Sequence, residues 1–353
     1  MKNPSDGVED SADERILVVR FSSLGDILLT APALRALHAR FPHSQIDLLV
    51  ASEFEAAARL IPGPDRVLTF DRRTGIAGLL KLRSALAGRY HLFVDLQNSS
   101  RSAFLRATTF PTVWVKARRY RVRRWLLIKF KRSFYKALRP VPLRYLDALD
   151  LVGVEDDGEG LNLQVTATMK EWARDFLAAR CDLSKPLIVL CPGARHTTKR
   201  WPADRWVTLG GDLDLAGYAV LVMGASSEAE LVREISSQIP GSVPVTDRSI
   251  PEAAAILSLA ATVVSNDSGL MHLAGGVGAP VVAIFGPTVE EFGFYPFRSK
   301  HIVLAHSLYC RPCTAMGSAR CPEGHFRCML ETAPAAVREA VHRLLPPERP
   351  SLP

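Results

Sequence analysis

No apolar run in this 353-residue chain approaches the roughly 20 residues that cross a bilayer. The first fifteen residues are polar and acidic, without the basic start and apolar stretch of a signal peptide. The location expected from these two absences is cytosolic. No G-x-G-x-x-G string follows the first strand-like run, which speaks against a dinucleotide fingerprint there. No short tandem repeat is visible. Acid is missing from one long stretch: residues 116–139, KARRYRVRRWLLIKFKRSFYKALR, hold eleven Lys and Arg and no Asp or Glu. The net charge of +8 less those eleven leaves −3, so a mildly acidic body carries one strongly basic segment. That pattern suits a polyanionic partner met at one place.

What is present is ordinary for a globular protein: 48% apolar and 23% charged residues, at a length that suits two domains. Short β-type runs alternate with helical patterns. ILVVR leads to a helix expected over 26–40 and closed by Pro42. QIDLLV, RVLTF, HLFVDL and TVWV follow, with a helix near 75–88 among them, and then the helix PLRYLDALDLVG. GVEDDGEGLN, rich in Gly and acid, reads as a linker. The alternation then repeats through PLIVLCPGA, YAVLVMGA, TVVSNDSG and PVVAIFGPT, and APAAVREAVHRLL is a closing amphipathic helix. The expected fold is α/β, two Rossmann-like doubly wound parallel sheets, with ligands beyond the carboxyl ends of the strands.

Three strings stand at such ends in the second half. In SNDSGLMHLAGG a helix begins near Ser268–Gly269, where free backbone N–H groups and a positive dipole end suit phosphate. In CPGARHTTKRWP, Thr197, Thr198 and Lys199 supply two hydroxyls and a cation, the makings of a diphosphate grip, though a solvated loop reads the same way. In LVMGASSEAELV, Glu228 can accept from ribose hydroxyls or simply sit in a first helical turn. In the first half, SSLGDILLT places Asp26 where a strand meets a helix. It reads either as a cap or as an ionised general base toward a sugar hydroxyl.

Taken in order, SSLGDILLTAPALRAL, CPGARHTTKRWP, NDSGLMHLAGGVGAPVVAIFGPT and CRPC…CPEGHFRCM resemble glycosyltransferase family 9, the ADP-heptose:lipopolysaccharide heptosyltransferases. The resemblance implies the GT-B architecture, two domains facing across a cleft. Residues 1–165 would bind the acceptor and residues 166–330 the nucleotide sugar, with a Cys-rich loop at 306–328, and residues 331–353 would pack back on the first domain. It implies inverting, metal-independent transfer of heptose from ADP-L-glycero-D-manno-heptose to heptosyl-Kdo2-lipid A. Asp26 matches the family's base. Thr197, Thr198 and Lys199 match a phosphate- and sugar-contacting loop, and Glu228 a ribose-holding residue. Asp267, Ser268, Gly269 and Leu270 match the diphosphate-binding helix start, with Asp267 reaching the donor sugar.

Two features remain. The basic segment interleaves Arg118, Arg119, Arg121, Arg123, Arg124, Lys129, Lys131 and Arg132 with aromatics. Acceptor and inner-membrane contact is the favoured reading over a solvated face or a nucleic-acid groove, and makes the protein peripheral to the inner membrane. Cys310, Cys313, Cys321 and Cys328 are spaced C-x2-C-x7-C-x6-C, open to a structural zinc or to reduced thiols. No cofactor is expected for catalysis. Two alternatives stay open: the same fold using another nucleotide sugar or acceptor, and a non-catalytic protein binding anionic membrane or RNA over a relic nucleotide site.

Overall fold

The structure is a computed structural model and describes residues 10–345. Most of the polar start, and the end of the 331–353 segment, therefore lie outside the described residues. The described residues divide into two compact units: those up to 124, 134–164 and 291–298 form one, and those of 125–133, 165–290 and from 299 onward the other.

The first unit is built on five parallel strands, β1 (Arg15–Val19), β2 (Gln45–Ala51), β3 (Arg66–Phe70), β4 (Leu92–Asp95) and β5 (Val113–Lys116), in the order β3-β2-β1-β4-β5. Four of the five β1 residues are buried, as in strands covered on both faces. Leu17, Val19, Phe21, Leu49, Phe70 and Phe93 make one core against the sheet. The strand order reverses between β1 and β4, which pair in the register Val19↔Asp95. At such a reversal the flanking loops diverge and leave room for a ligand.

The second unit has six parallel strands, β6 (Leu187–Cys191), β7 (Ala219–Met223), β8 (Val243–Val245), β9 (Thr262–Asn266), β10 (Val281–Phe285) and β11 (His301–Ala305), in the order β11-β10-β9-β6-β7-β8. Its reversal lies between β6 and β9, paired Cys191↔Ser265. Both expected doubly wound sheets are thus present. The two edge strands, β8 and β11, are additions to the sequence reading. Pro244 inside β8 is tolerated because an edge strand leaves one side of its backbone unpaired.

Three other expectations need correction. The helix expected over 26–40 is two, Leu24–Leu28 and Ala31–Arg40. Pro32 has no N–H for the Leu28 carbonyl and sits instead in the first turn of the second helix, where that N–H is not needed. The acidic linker is tied down in the first unit: Asp156 pairs with Arg298 at 2.5 Å, and Asp157 with Arg35. The closing helix, Pro334–Leu344, was expected on the first domain. It lies instead in the core of the second unit, where Val337, Ala340, Val341 and Leu344 join Ile188, Trp206 and Leu209. Those four residues form the i, i+3, i+4, i+7 stripe by which an amphipathic helix buries one side.

Candidate active site

In the first unit the chain leaves β1 through Arg20 and Phe21 into the helix Leu24–Leu28, with Ser23 as N-cap and Asp26 as its third residue. Asp26 does serve the cap: its Oδ2 accepts from the Ser23 backbone N–H at 3.1 Å and from the Ser23 hydroxyl at 2.8 Å. Its other oxygen, Oδ1, faces an Arg20 Nη2 at 2.5 Å. Arg20 is 7% exposed, donates from Nη1 to the Leu96 carbonyl at 2.7 Å and lies over the Tyr145 ring at 5.6 Å. Burial pushes the Asp26 carboxyl up, but the Arg20 charge and the Ser23 hydrogen bonds outweigh it and hold the group below the usual carboxylate range. Asp26 is therefore an ionised carboxylate whose side chain stays 18% exposed.

In the second unit, β6 runs into Pro192-Gly193 and the single turn Thr197–Lys199, while β9 ends at Asn266. Buried Asn266 fastens the two ends together. Its Nδ2 donates to the Pro192 carbonyl at 2.7 Å, and its Oδ1 accepts from the Trp201 N–H at 3.1 Å. Lys199 Nζ lies 2.6 Å from Asp267 Oδ2, which also accepts from the Thr288 hydroxyl at 2.7 Å. Beside them starts the helix Gly269–Gly276, whose N-cap Ser268 gives its backbone no side-chain hydrogen bond. Ser268, Gly269 and Leu270 are all partly open. The free N–H groups of this start can meet an anion.

Glu228 is the N-cap of the helix Ala229–Ser237, and its carboxylate comes back over the β6 loop. A Cβ built on Gly193 would fall 2.1 Å from the Glu228 carboxyl carbon, so only glycine lets that carboxylate lie there. Thr197 is exposed. Thr198 is not: it is 4% exposed, its hydroxyl donates to the Ser318 carbonyl at 3.0 Å and accepts from the Ser318 N–H at 2.8 Å. Its side chain docks the Cys-rich loop, a different duty from the donor contact expected of it.

That loop brings its thiols near one another. Cys310 Sγ is 3.7 Å from His325 Nε2, and Cys313 donates to the Cys310 carbonyl at 3.2 Å. Burial pushes the Cys313 thiol up, with the neighbouring Cys310 adding to it, and pushes the Cys328 thiol up as well. Among the described residues no three His, Cys, Asp or Glu side chains converge as ligands for an ion.

The basic segment forms the helix Arg121–Phe130, in which Leu127 alone is buried, and an irregular stretch after it. Val122, Trp125, Phe130, Phe134 and Leu138 are each at least half exposed. Lys129 lies over the Trp125 ring at 5.1 Å and Arg123 over Tyr120 at 5.3 Å. Arg118, Arg121 and Arg132 are exposed, while Arg119 and Arg124 are partly covered. Lys131 is exposed and donates to the Pro312 carbonyl at 2.7 Å. No helix among the described residues is long and apolar enough to cross a membrane.

Sequence reading missed Arg20, Asn266 and Thr288. Arg20 directly follows β1, Asn266 ends β9 and Thr288 lies three residues beyond β10, and those positions were the available signal. The family described as glycosyltransferase family 9 (heptosyltransferase) matches residues 79–322, more than half of the chain. Lipooligosaccharide heptosyltransferase 2 of Haemophilus influenzae is 26% identical over 295 residues, covering 78% of this chain and 84% of that one. The solved family 9 glycosyltransferase of Veillonella parvula superposes with a TM-score of 0.79 at 22% identity, over 96% of this chain and 98% of the other. The ADP-heptose lipopolysaccharide heptosyltransferase II of Escherichia coli gives 0.71 at 23% identity, over 94% and 98%.

Proposed function

The chain belongs to glycosyltransferase family 9 and is a glycosyltransferase; from that premise we propose that it transfers heptose from ADP-L-glycero-D-manno-heptose to the inner core of lipopolysaccharide, with heptosyl-Kdo2-lipid A as acceptor. The observation that carries the reading is the cluster of Lys199, Asp267 and Thr288 beside the open helix start at Gly269. A diphosphate leaving group gathers negative charge as its bond breaks. An ammonium ion and aligned backbone N–H groups are what stabilise that charge when no metal does so. Glu228 takes the ribose hydroxyls of the donor. The likeness to proteins named as heptosyltransferase 2 supports the heptose and the second position.

In this reading the acceptor hydroxyl gives its proton to Asp26 while its oxygen bonds to the anomeric carbon from the face opposite the diphosphate. The bond to the diphosphate breaks with its electron pair leaving on ADP, and configuration inverts. Asp26 meets the requirements of the base: it is ionised, oriented by two neighbours and open to solvent. The exposed aromatics and cations of 121–138 make peripheral contact with the anionic inner membrane that carries the acceptor.

The test is ADP release from ADP-heptose, after EDTA treatment, with Kdo2-lipid A bearing or lacking its first heptose. Release with the heptosylated acceptor alone is expected. Release with neither acceptor overturns the donor or acceptor, and loss on chelation overturns metal independence. Co-sedimentation with vesicles containing anionic lipid, but not with neutral ones, is the matching result for the membrane contact.

A further inference from the structure

Asp26 has two oxygens, and the structure treats them differently. Each carboxylate oxygen can accept about two hydrogen bonds. Oδ2 already takes two, both from Ser23, at 3.1 and 2.8 Å. Oδ1 takes one, from Arg20 at 2.5 Å, and has a lone pair to spare. The residue that fixes Oδ1 is itself fixed: Arg20 is held by the Leu96 carbonyl beyond β4 and by the Tyr145 ring, and its Nε has no hydrogen-bond partner.

We propose that Arg20 is the positioning residue for Asp26, holding the carboxylate so that Oδ1 is the atom that receives the acceptor's proton. The inference rests on the base reading proposed above and adds to it which oxygen reacts and what aims it. A guanidinium suits the task because its planar fork serves two partners in fixed directions, here Leu96 and Asp26. An ammonium on a flexible stem would bind Asp26 without setting its plane.

The same pairing governs the pH at which Asp26 loses its charge. The groups that face it are Arg20 at the end of β1, Ser23 on its own turn, Tyr145 from the helix Val141–Leu146 and Arg119 beyond β5; Asp95 at the end of β4 faces Arg20 in turn. Tyr145 is buried and held protonated above its usual range. Arg119 is pushed down by burial and by Arg121 and Arg20, yet as an arginine it keeps its charge. Arg20 is thus the cation in direct contact with the carboxylate. A depressed carboxyl keeps its ionised, active form to lower pH, and removing the depressing cation must raise the acid limb of the rate profile.

The experiment is kcat/KM against pH for the full chain, in wild type and in Arg20→Gln, Arg20→Lys and Asp26→Asn, with circular dichroism to confirm folding. Arg20→Gln should raise the acid limb by about one pH unit or more and lower kcat roughly tenfold or more, with the donor KM unchanged. Arg20→Lys should return the limb toward wild type with only part of kcat recovered. A folded Arg20→Gln with the wild-type limb overturns the proposal while leaving the base in place. Should that variant not fold, Arg20→Lys decides: reduced kcat at unchanged donor KM supports it, and wild-type kcat overturns it. An active Asp26→Asn shows instead that the base reading has failed, and the positioning role with it.

Discussion

Two aspartates, one in each unit, stand beside a strand end and a helix start, and each is paired with a cation at nearly the same distance. Asp26 has Arg20 at 2.5 Å and Asp267 has Lys199 at 2.6 Å. The partners differ in kind. Arg20 is clamped by Leu96 and Tyr145, so its pairing is a fixed piece of geometry. Lys199 sits on a single turn with its side chain 14% exposed, and its compact ammonium can turn from a carboxylate to a phosphate without rebuilding its surroundings. Under the proposed function the contrast is between orienting a proton acceptor and supplying a charge that can change partners.

The sharpest break is at Asp26. Asp26→Asn keeps the shape, and its amide can accept only at one atom, so transfer should fall by about 10³-fold while ADP-heptose binding by calorimetry is unchanged. Loss of donor binding as well would place Asp26 in the donor site. Next comes Lys199→Met, which removes the exchangeable charge. Donor affinity and kcat should both fall, together by about 10²-fold in kcat/KM. An effect confined to the acceptor KM would refute the leaving-group role. The smallest change is Gly193→Ala. The new Cβ displaces the far end of a flexible side chain, Glu228, so the fold should survive with its melting temperature nearly unchanged. The donor KM should rise roughly tenfold, and this rise should vanish in a Glu228→Ala background. A rise that persists there would mean the loop itself, not the carboxylate, holds the donor.

The contrast also shows what a sequence can carry. Strand–turn–helix alternation located both sheets and set Asp26, Lys199, Glu228 and the Ser268–Gly269 start in the loops and helix starts after strands, where they lie in the fold, because period and turn chemistry are local properties. Partners are not local. Nothing in VVRFSSLGD distinguishes an arginine that flanks a strand from one that reaches a carboxylate six residues on. Thr198 read as a ligand hydroxyl because its neighbours do, while its true partner is 120 residues away. The placement of the closing helix failed for the same reason: its apolar stripe announces burial but does not say against which sheet. Pro32 was a local signal, and a stricter reading of its missing N–H would have divided the helix there.

The bond between Thr198 and Ser318 has a consequence for how the protein comes into being. The turn that carries Lys199 is held from one side by Ser318, and Trp201 and Arg205 just beyond it both donate to the Thr332 carbonyl, at 3.0 and 2.6 Å. A ribosome that has released only the first three hundred residues has made both sheets nearly whole and has the Asn266 hold on the Trp201 N–H, yet the turn still lacks its ties to Ser318 and Thr332. The turn that carries Lys199 gains its last ties only once the segment from 318 to 332 has emerged, so its final rigidity comes late in synthesis.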